Sequence, residues 1–307
     1  MNPSSQPATC PYRIQVSADS TFSSFAVSPI SHTFHRHPLM QTAALRQLAS
    51  RLAKTDQCRF VRPGISQASV FAHAPYSADG RTIEQVFDEL SRPGSWVALY
   101  NVETDELYRT FLSDVQSAFQ HLVEREQGRV HSVGGFIFIS APPAVTPFHI
   151  DRESNFWLQI RGRKSMSVWN PGERGVIPDH VVEDFIVTRD LSQVRLNESM
   201  RTKRLDFDTG PGDGVYFPST SPHMTHSGRD WVSDGDDICV SIGVVFYTDV
   251  TRRHARVHAL NRLLRRCGFS PQPPGANKMK DRVKEMLGSA AVKVQRRLGL
   301  YDPPPGM

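Results

Sequence analysis

The sequence predicts a mainly β protein with flanking helices, built on a jelly-roll core. Two observations predict this fold class. From Gly134 onward, short apolar runs are separated by Gly and Pro turns, as in antiparallel sheets. On both sides of this region the apolar residues recur at helical spacing. Many short strands between two helical parts indicate a sandwich or barrel decorated at both ends.

The part that precedes the core is expected to hold an irregular lead-in and helices. Roughly the first thirty residues are rich in Ser, Pro and Thr without periodicity, which indicates an irregular segment. Spaced apolar residues predict helices over 41–54 and 82–90. A Pro-Gly turn then precedes a strand-like run at 96–100, and the single apolar face of 105–127 predicts a long helix.

Turn-bounded apolar runs predict five clear strands in the core. They are Phe136–Ile139, Asn155–Ile160, Lys164–Trp169, Val215–Phe217 and Ile238–Tyr247. The chain is therefore expected to divide into three parts: a lead-in with helices (1–90), a jelly-roll domain with the candidate site (91–250) and a basic helical segment (251–307).

The positive charge is concentrated in the C-terminal segment. The overall composition is that of an ordinary globular protein. The 307 residues are 39% hydrophobic and 22% charged, with a net charge of +5. Thirteen Lys or Arg lie between Thr251 and Leu300, against only Asp281 and Glu285. This basic segment is expected to be a solvated helical surface or, alternatively, a contact for nucleic acid, an acidic protein or an anionic membrane.

Cysteine spacing and apolar runs predict the compartment. None of the four cysteines belongs to a CxxC pair, so neither a zinc ribbon nor a disulfide framework is indicated. The N-terminus has no apolar core typical of a signal peptide, and no run approaches membrane-spanning length. The sequence therefore predicts a cytoplasmic protein without a membrane span.

The candidate site begins in the stretch TPFHIDRESNFWLQIRGRK, from Thr146 to Lys164. His149 and Asp151 are two residues apart, so on an extended backbone both side chains leave on the same side and can bind one metal ion. An HxD pair alone is weak evidence. A facial triad for Fe(II) needs a second histidine and leaves three coordination positions free. The sequence therefore predicts a metal site of His149, Asp151 and a histidine from a later strand.

Two histidines in FPSTSPHMTHSG compete for the third ligand position. His223 directly follows the turn at Pro222 and opens a strand, whereas His226 lies three residues further on. An extended chain puts these two imidazoles on opposite faces, so both bind one metal only if a bulge intervenes. His223 is the favoured ligand, and His226 is the alternative or a residue beside the site.

An interior lysine and a nearby threonine suit a dicarboxylate. Alternation puts Lys164 on the same face of its strand as Met166 and Val168, and a cation in an apolar interior requires an anion. Thr146 can add a hydroxyl hydrogen bond to that anion. The alternative is that Lys164 belongs to a solvated basic turn.

The strand before Lys164 alternates between polar and apolar positions. Asn155, Trp157 and Gln159 share a face that is expected to line a cavity, and the intervening apolar residues are expected to face the core. The amide of Asn155 can orient Asp151 or the bound dicarboxylate.

Together these residues resemble the JmjC and cupin-like Fe(II)- and 2-oxoglutarate-dependent oxygenases, especially the branch of the asparaginyl hydroxylase that acts on hypoxia-inducible factor. That branch shows TPxHxD, then N-F, then Q-I-x-G-x-K at this spacing. The matching positions are Thr146, His149, Asp151, Asn155, Phe156, Gln159, Gly162 and Lys164. The resemblance spans 134–247, and the 91–102 segment is similar to that of bacterial cupin-like proteins.

The resemblance implies that His149, Asp151 and His223 bind Fe(II), and that Thr146 and Lys164 bind the distal carboxylate of 2-oxoglutarate. The chain also departs from the family. Ser227 stands where an asparagine often follows the second histidine, and 229–237 is longer and more acidic than usual. Ser241 is the candidate for the polar residue of the last strand.

The expected function is hydroxylation, or demethylation through hydroxylation, of a protein, peptide or other substrate, with a protein or peptide slightly favoured. One alternative is a JmjC-like module without turnover that recruits nucleic acid or an acidic partner through its basic segment. Another is a metal-dependent isomerase of the cupin type. C-terminal helices mediate dimers in the similar hydroxylase, so a homodimer is compatible with the resemblance.

Overall fold

The structure is a computed structural model, and it describes residues 11–16, 21–61, 80–173, 175–231 and 237–299. The described chain before residue 130 forms four strands and three helices. In order they are β1 (Ile14–Val16), β2 (Ser28–His32), α1 (Thr42–Leu52), β3 (Cys58–Val61), α2 (Ile83–Asp88), β4 (Trp96–Leu99) and α3 (Glu106–Gln127). The three helices and the strand predicted in this part are confirmed.

The following chain forms eight more strands and three helices. In order they are β5 (Val130–Ser140), β6 (Ala144–His149), β7 (Ser154–Arg161), β8 (Lys164–Val168), α4 (Asp179–Thr188), β9 (Leu205–Thr209), β10 (Asp213–Phe217), β11 (His223–Ser227), β12 (Cys239–Thr248), α5 (Asp249–Arg266) and α6 (Lys278–Arg297). All five predicted strands are confirmed, each with small differences at its ends.

The strands form two antiparallel sheets that face each other as a jelly roll. The large sheet has the order β1-β2-β10-β7-β12-β5-β4-β3, and the small sheet has the order β6-β11-β8-β9. From β5 to β12 the chain crosses repeatedly between the two sheets, which is the topology of two interleaved Greek keys. The predicted fold class, a mainly β jelly roll with flanking helices, is therefore confirmed.

The irregular lead-in predicted for the first thirty or so residues is wrong where the structure describes them. β2 pairs with both β1 and β10, so this segment extends the large sheet. Its buried positions are Ser28, Ile30 and His32, and two of the three are polar. Apolar alternation is therefore too weak to reveal the strand. Because β3 also joins this sheet, the boundary predicted at residue 90 cuts through one continuous sheet.

The main core lies between the large sheet and the helices that cover its outer face. Phe156 on β7 is fully buried at its centre. Its ring lies 4.5 Å from that of Phe119 on α3, 4.7 Å from Tyr216 on β10 and 5.9 Å from Phe246 on β12, measured between centroids. The predicted apolar face of β7 thus packs on the helical layer, and its other face is free to line the space between the sheets.

The basic segment forms two helices, and part of its charge is neutralised within the fold. Arg262 and Arg265 of α5 form ion pairs with Asp184 and Glu183 of α4, at 2.5 and 2.8 Å. α6 packs on α5 and leaves several apolar side chains exposed, namely Met279, Val283, Met286, Leu287 and Val294. The homodimer and the nucleic-acid contact stay predictions. Among the described residues, no helix has both the length and the apolarity that crossing a membrane requires.

Truncating Phe156 tests this core. We expect Phe156→Ala to lower the free energy of unfolding by about 3–5 kcal/mol, because it removes a fully buried ring from a stack of aromatic side chains. Phe269→Ala is the matched control, since its ring is 63% exposed, and its effect should stay within about 0.5 kcal/mol. Urea denaturation measures both. Equal losses in the two variants would contradict the packing described here.

The buried imidazole of His32 predicts a pH-dependent stability. Burial, with a smaller contribution from His35, lowers the pKa of His32 to about 4, although its Nε2 contacts the carbonyls of Gln159 and Asp213. The unfolded chain then binds more protons below pH ~6.5, so this contribution is complete above that pH and is lost as the pH falls towards 4.

We expect His32→Gln to reduce the loss of unfolding free energy between about pH 7 and about pH 5 by about 2 kcal/mol. Denaturation series at both pH values, for the variant and the unchanged protein, measure this difference. His121→Gln, at an exposed position of α3, is the control that should keep the original pH dependence. Identical pH dependence in all three proteins would contradict a neutral buried His32.

Candidate metal and cosubstrate site

Three side chains converge at one end of the space between the sheets. His149 ends β6, Asp151 follows two residues later, and His223 opens β11. The Nε2 atoms of His149 and His223 lie 3.9 and 3.5 Å from the Asp151 carboxylate oxygens, and the ring centroids are 4.0 Å apart. Their ligand atoms all lie within 4.8 Å of one another, so one ion can contact all three.

Backbone carbonyls fix which nitrogen of each imidazole faces the cluster. Nδ1 of His149 lies 2.8 Å from the carbonyl of Pro147, and Nδ1 of His223 lies 3.0 Å from that of Ser221. A carbonyl can only accept, so each Nδ1 carries the proton and each Nε2 presents a lone pair. Burial lowers the pKa of His223 to about 4, so its ring is neutral at neutral pH. Both imidazoles are therefore in the tautomer that binds metal through Nε2.

The loop between β10 and β11 holds the segment that carries Asp151. The backbone N–H of Thr220 donates to the Asp151 carbonyl at 2.9 Å, and the Ser219 hydroxyl donates to the Arg152 carbonyl at 2.8 Å. The Ser154 hydroxyl in turn accepts from the Ser219 N–H at 3.2 Å. These bonds tie the aspartate to the same loop that leads into His223, although the two ligands are far apart in sequence.

A β-bulge in β6 brings Thr146 to the same side as His149. His223 pairs with His149, but Thr225 pairs with Thr146, so β6 has one more residue than β11 over this interval. The extra residue lies at Pro147–Phe148, where a proline is tolerated because a bulge needs no ladder N–H. Residues three apart in a regular strand face opposite ways. The bulge cancels this difference, and Thr146 and His149 line one cavity.

His226 lies away from this cluster. β11 pairs regularly with β8, so His223 and Thr225 face the cavity while Met224 and His226 lie on the opposite face of the small sheet. The His226 ring is partly exposed and lies 5.4 Å from that of Trp231. A bulge would be needed for His223 and His226 to bind one metal together, but the bulge is in the partner strand β6 and does not turn His226 inward.

Lys164 is buried inside the barrel rather than in a solvated turn. It is 4% exposed, and its Nζ donates to the Ser241 hydroxyl of β12 at 3.2 Å. Burial lowers the pKa of its ammonium group. Within the described residues it has no ion pair with a carboxylate, and its hydrogen-bond partner is the neutral Ser241 hydroxyl. Such a group is costly unless an anion binds beside it.

Asn155 also faces the cavity with an unused acceptor. Its side chain is 5% exposed, and among the described residues its Oδ1 has no hydrogen-bond partner. A Cβ at Gly243 of β12 would lie 3.0 Å from its amide nitrogen, so only glycine gives this amide its room. The expectation that Gln159 lines the same cavity is wrong. Its amide bends back and donates to the carbonyls of Arg161 and Gly162, which closes the turn into β8.

The cluster and these polar groups line one cavity of about 360 Å³. Its walls are largely apolar, and its inner part ends at Lys164, Ser241 and Thr225. The outer part contains residues that the motif did not reveal, namely Arg59, Tyr100, Arg152, Glu153 and Arg189. Arg59, Tyr100 and Arg189 are far from the motif in sequence, so no spacing links them to it, whereas Arg152 and Glu153 directly follow Asp151.

The arrangement can hold a divalent ion on one side and leave the cavity side open to small ligands. Two neutral imidazoles and one carboxylate are the donors of a 2-His-1-carboxylate site, which suits iron with free coordination positions. The apolar walls exclude water and strengthen electrostatic contacts to any bound anion. The ligand roles of these residues stay predictions.

Comparison with known proteins gives structural neighbours only, because no protein-family model and no curated protein matches the chain. The chain is similar to YcfD of Escherichia coli, with a TM-score of 0.47 and 17% identity over 90% of this chain and 68% of that chain. A structure of YcfD, described as a ribosomal oxygenase in complex with cobalt and 2-oxoglutarate, gives a TM-score of 0.47 and 16% identity over 90% and 67%. A complex with cobalt and succinic acid gives 0.45 and 15% over the same shares. This is a distant likeness of the backbone.

Metal titration distinguishes the two candidate histidines. We expect His223→Ala to weaken Co(II) binding by at least about 100-fold, since loss of a group that merely orients a ligand already costs 10–100-fold. His226→Ala should leave the affinity unchanged, because its ring faces away from the cluster. Isothermal titration calorimetry under anaerobic conditions measures both. Weakened binding in His226→Ala with retention in His223→Ala would reverse the assignment.

Proposed function

We propose that this protein is an Fe(II)- and 2-oxoglutarate-dependent oxygenase that hydroxylates its substrate. One observation carries the proposal: a buried lysine without an anionic partner among the described residues shares a cavity with a His-Asp-His cluster. A metal site alone suits many reactions. The additional buried cation calls for a ligand with a negative group remote from the metal, as in a dicarboxylate.

His149, Asp151 and His223 are the proposed ligands of the ion. Their Nε2 and carboxylate atoms meet from one side, so the opposite side of the ion would face the cavity. Structural zinc sites are closed by four protein ligands, whereas this set of three leaves positions open. The donor set therefore supports iron of the facial-triad type.

Lys164 and Thr146 are the proposed partners of the distal carboxylate of 2-oxoglutarate. Both line the cavity, and Ser241 holds the Lys164 ammonium in place from the neighbouring sheet. A charge-assisted hydrogen bond in this dry interior is stronger than one in water. Asn155 lies beside Gly243, and among the described residues its Oδ1 has no hydrogen-bond partner, so this amide can orient a ligand between the lysine and the cluster.

Bound iron and 2-oxoglutarate supply the oxidising chemistry with dioxygen, and 2-oxoglutarate is converted to succinate and carbon dioxide. The chain itself binds and orients the reactants. The apolar walls keep water from the reacting carbon, and the loop from Pro218 to Pro222 fixes Asp151 against movement. If the oxidised carbon is an N-methyl group, the hydroxylated product loses formaldehyde and the outcome is demethylation.

The test is an anaerobic titration with Fe(II) and 2-oxoglutarate that follows the visible metal-to-ligand charge-transfer band. We expect the unchanged protein to develop the band and His149→Ala to lack it. Lys164→Met, which keeps the length of the side chain, should raise the half-saturating 2-oxoglutarate concentration by about 10–100-fold, the value of one charged hydrogen bond. Lys54→Met, at an exposed position, is the control that should titrate like the unchanged protein.

Absence of the band from folded, metal-loaded protein would contradict the proposal. The alternative would then be a binding module without turnover, and its basic α5 and α6 would become the surface to study. A band that forms equally well in Lys164→Met would contradict the role of the lysine and leave the metal site standing.

A further inference from the structure

The outer part of the cavity holds an arginine and a tyrosine that the cosubstrate site does not use. Arg59 lies on β3, and Tyr100 follows β4, the strand paired with β3. The Arg59 guanidinium lies 4.8 Å from the centroid of the Tyr100 ring, in a cation–π stack. Both side chains line the same cavity as the His-Asp-His cluster.

The guanidinium has an unused hydrogen-bond donor. Nη1 of Arg59 is buried and has no hydrogen-bond partner within the described part of the chain. No carboxylate of the described residues forms an ion pair with it. Buried donors are almost always paired, and those of charged groups are the most costly to leave unpaired. The planar fork of an arginine matches a carboxylate or phosphate in two parallel hydrogen bonds.

The sheet order separates Arg59 from the proposed position of 2-oxoglutarate. Lys164 meets Ser241 on β12, while Arg59 is on β3, three strands away in the order β12-β5-β4-β3. At a strand spacing of ~4.8 Å, the two backbones are about 14 Å apart. The Lys164 ammonium bonds to Ser241 and the Arg59 guanidinium stacks on Tyr100, so the two cations have different neighbours and can serve different ligands.

Tyr100 connects this arginine to the metal side of the cavity. Its ring packs edge-on against Phe136 and Phe138, at centroid distances of 5.6 and 6.5 Å, which fixes its position. Burial raises the pKa of the Tyr100 hydroxyl, and the nearby charge of Asp151 adds to this rise while Arg59 opposes it. Tyr100 thus contacts the Arg59 guanidinium and lies close enough to Asp151 for that charge to act on its hydroxyl. All three side chains line one cavity, so a group held by Arg59 shares that cavity with the His-Asp-His cluster.

We propose that Arg59 and Tyr100 form a substrate-binding element that recognises a single Asp or Glu carboxylate of a protein or peptide substrate. This inference rests on the proposed oxygenase function and names its substrate class. Asp56 and Glu153 also line the cavity, so its outer part carries both signs of charge. A nucleic-acid backbone with a phosphate at each step meets repulsion there, whereas an isolated carboxylate within a peptide avoids it.

The other two arginines of the outer cavity lie near an acidic side chain. Arg152 and Arg189 lie close enough to Glu153 to lower its pKa, against the larger opposing effects of burial and Asp151. Their charge is thus partly offset by an acid on the same wall. Arg59 is therefore the arginine best placed to select a negative group of the substrate.

A random-sequence synthetic peptide library is the probe for this inference. The immobilised protein is loaded anaerobically with Fe(II) and 2-oxoglutarate, its charge-transfer band is recorded, and retained peptides are sequenced. We expect the unchanged protein to enrich Asp and Glu about tenfold at one position. This is the affinity gain that corresponds to one charged hydrogen bond. Arg59→Gln should lose this enrichment and Arg59→Lys should keep part of it. Arg125→Gln, which removes the same charge from an exposed position of α3, should keep all of it.

Each other outcome overturns the inference in a distinct way. A band without acidic enrichment overturns the substrate class and leaves the oxygenase function intact, whereas no band overturns both. A much higher requirement for 2-oxoglutarate in Arg59→Gln would make Arg59 a cosubstrate residue. Arg59-dependent retention of a single-stranded RNA oligonucleotide, without acidic peptides, would replace the carboxylate by phosphate.

Discussion

The pairing of β6 with β11 is the constraint on which the site depends. It joins two strands distant in sequence and places His149 opposite His223 at their ends. The bulge at Pro147–Phe148 then brings Thr146 to the side of the histidines, so the proposed metal ligands and the proposed cosubstrate contact share one face. A one-residue change in this register would send the ligands to opposite faces of the small sheet. The rest of the jelly roll serves to keep these two strands in register.

The buried polar groups inside the barrel lower the stability of the fold and provide contacts for a ligand. Lys164 is a buried cation without a carboxylate partner among the described residues, and Asn155 Oδ1 has no hydrogen-bond partner there, so apolar residues of similar size would fit a plain core better. On the opposite side of the large sheet, Phe156 and its neighbours form a densely stacked aromatic core. The face of β7 that meets the proposed ligands thus carries buried polar groups, which a packed core normally avoids. The face that meets the helices is packed as an ordinary apolar core.

Local sequence patterns predicted the parts that depend on neighbours in the chain. The HxD spacing, the alternation around Lys164 and the turn before His223 involve short stretches, and the structure brings these residues together. The bulge was not predictable, because it depends on the pairing of β6 with a distant strand. Arg59 and Tyr100 could not be predicted as cavity residues for the same reason, since only the β3–β4–β5 order brings them to the cavity. The strand β2 was not predicted because two of its three buried side chains are polar.

The backbone bonds between the Thr220 loop and the Asp151 segment have a thermodynamic consequence. In small metal-folded domains the ion itself must gather its ligands, and most of its binding free energy goes into ordering the chain. Here Thr220 and Ser219 already hold the aspartate segment against the loop that leads to His223. The conformational entropy of bringing these side chains together is lost when the barrel folds, so it does not reduce the binding free energy of an ion. For the proposed metal ion, affinity would therefore depend little on fold stability, and the ion could be lost and regained without the protein unfolding.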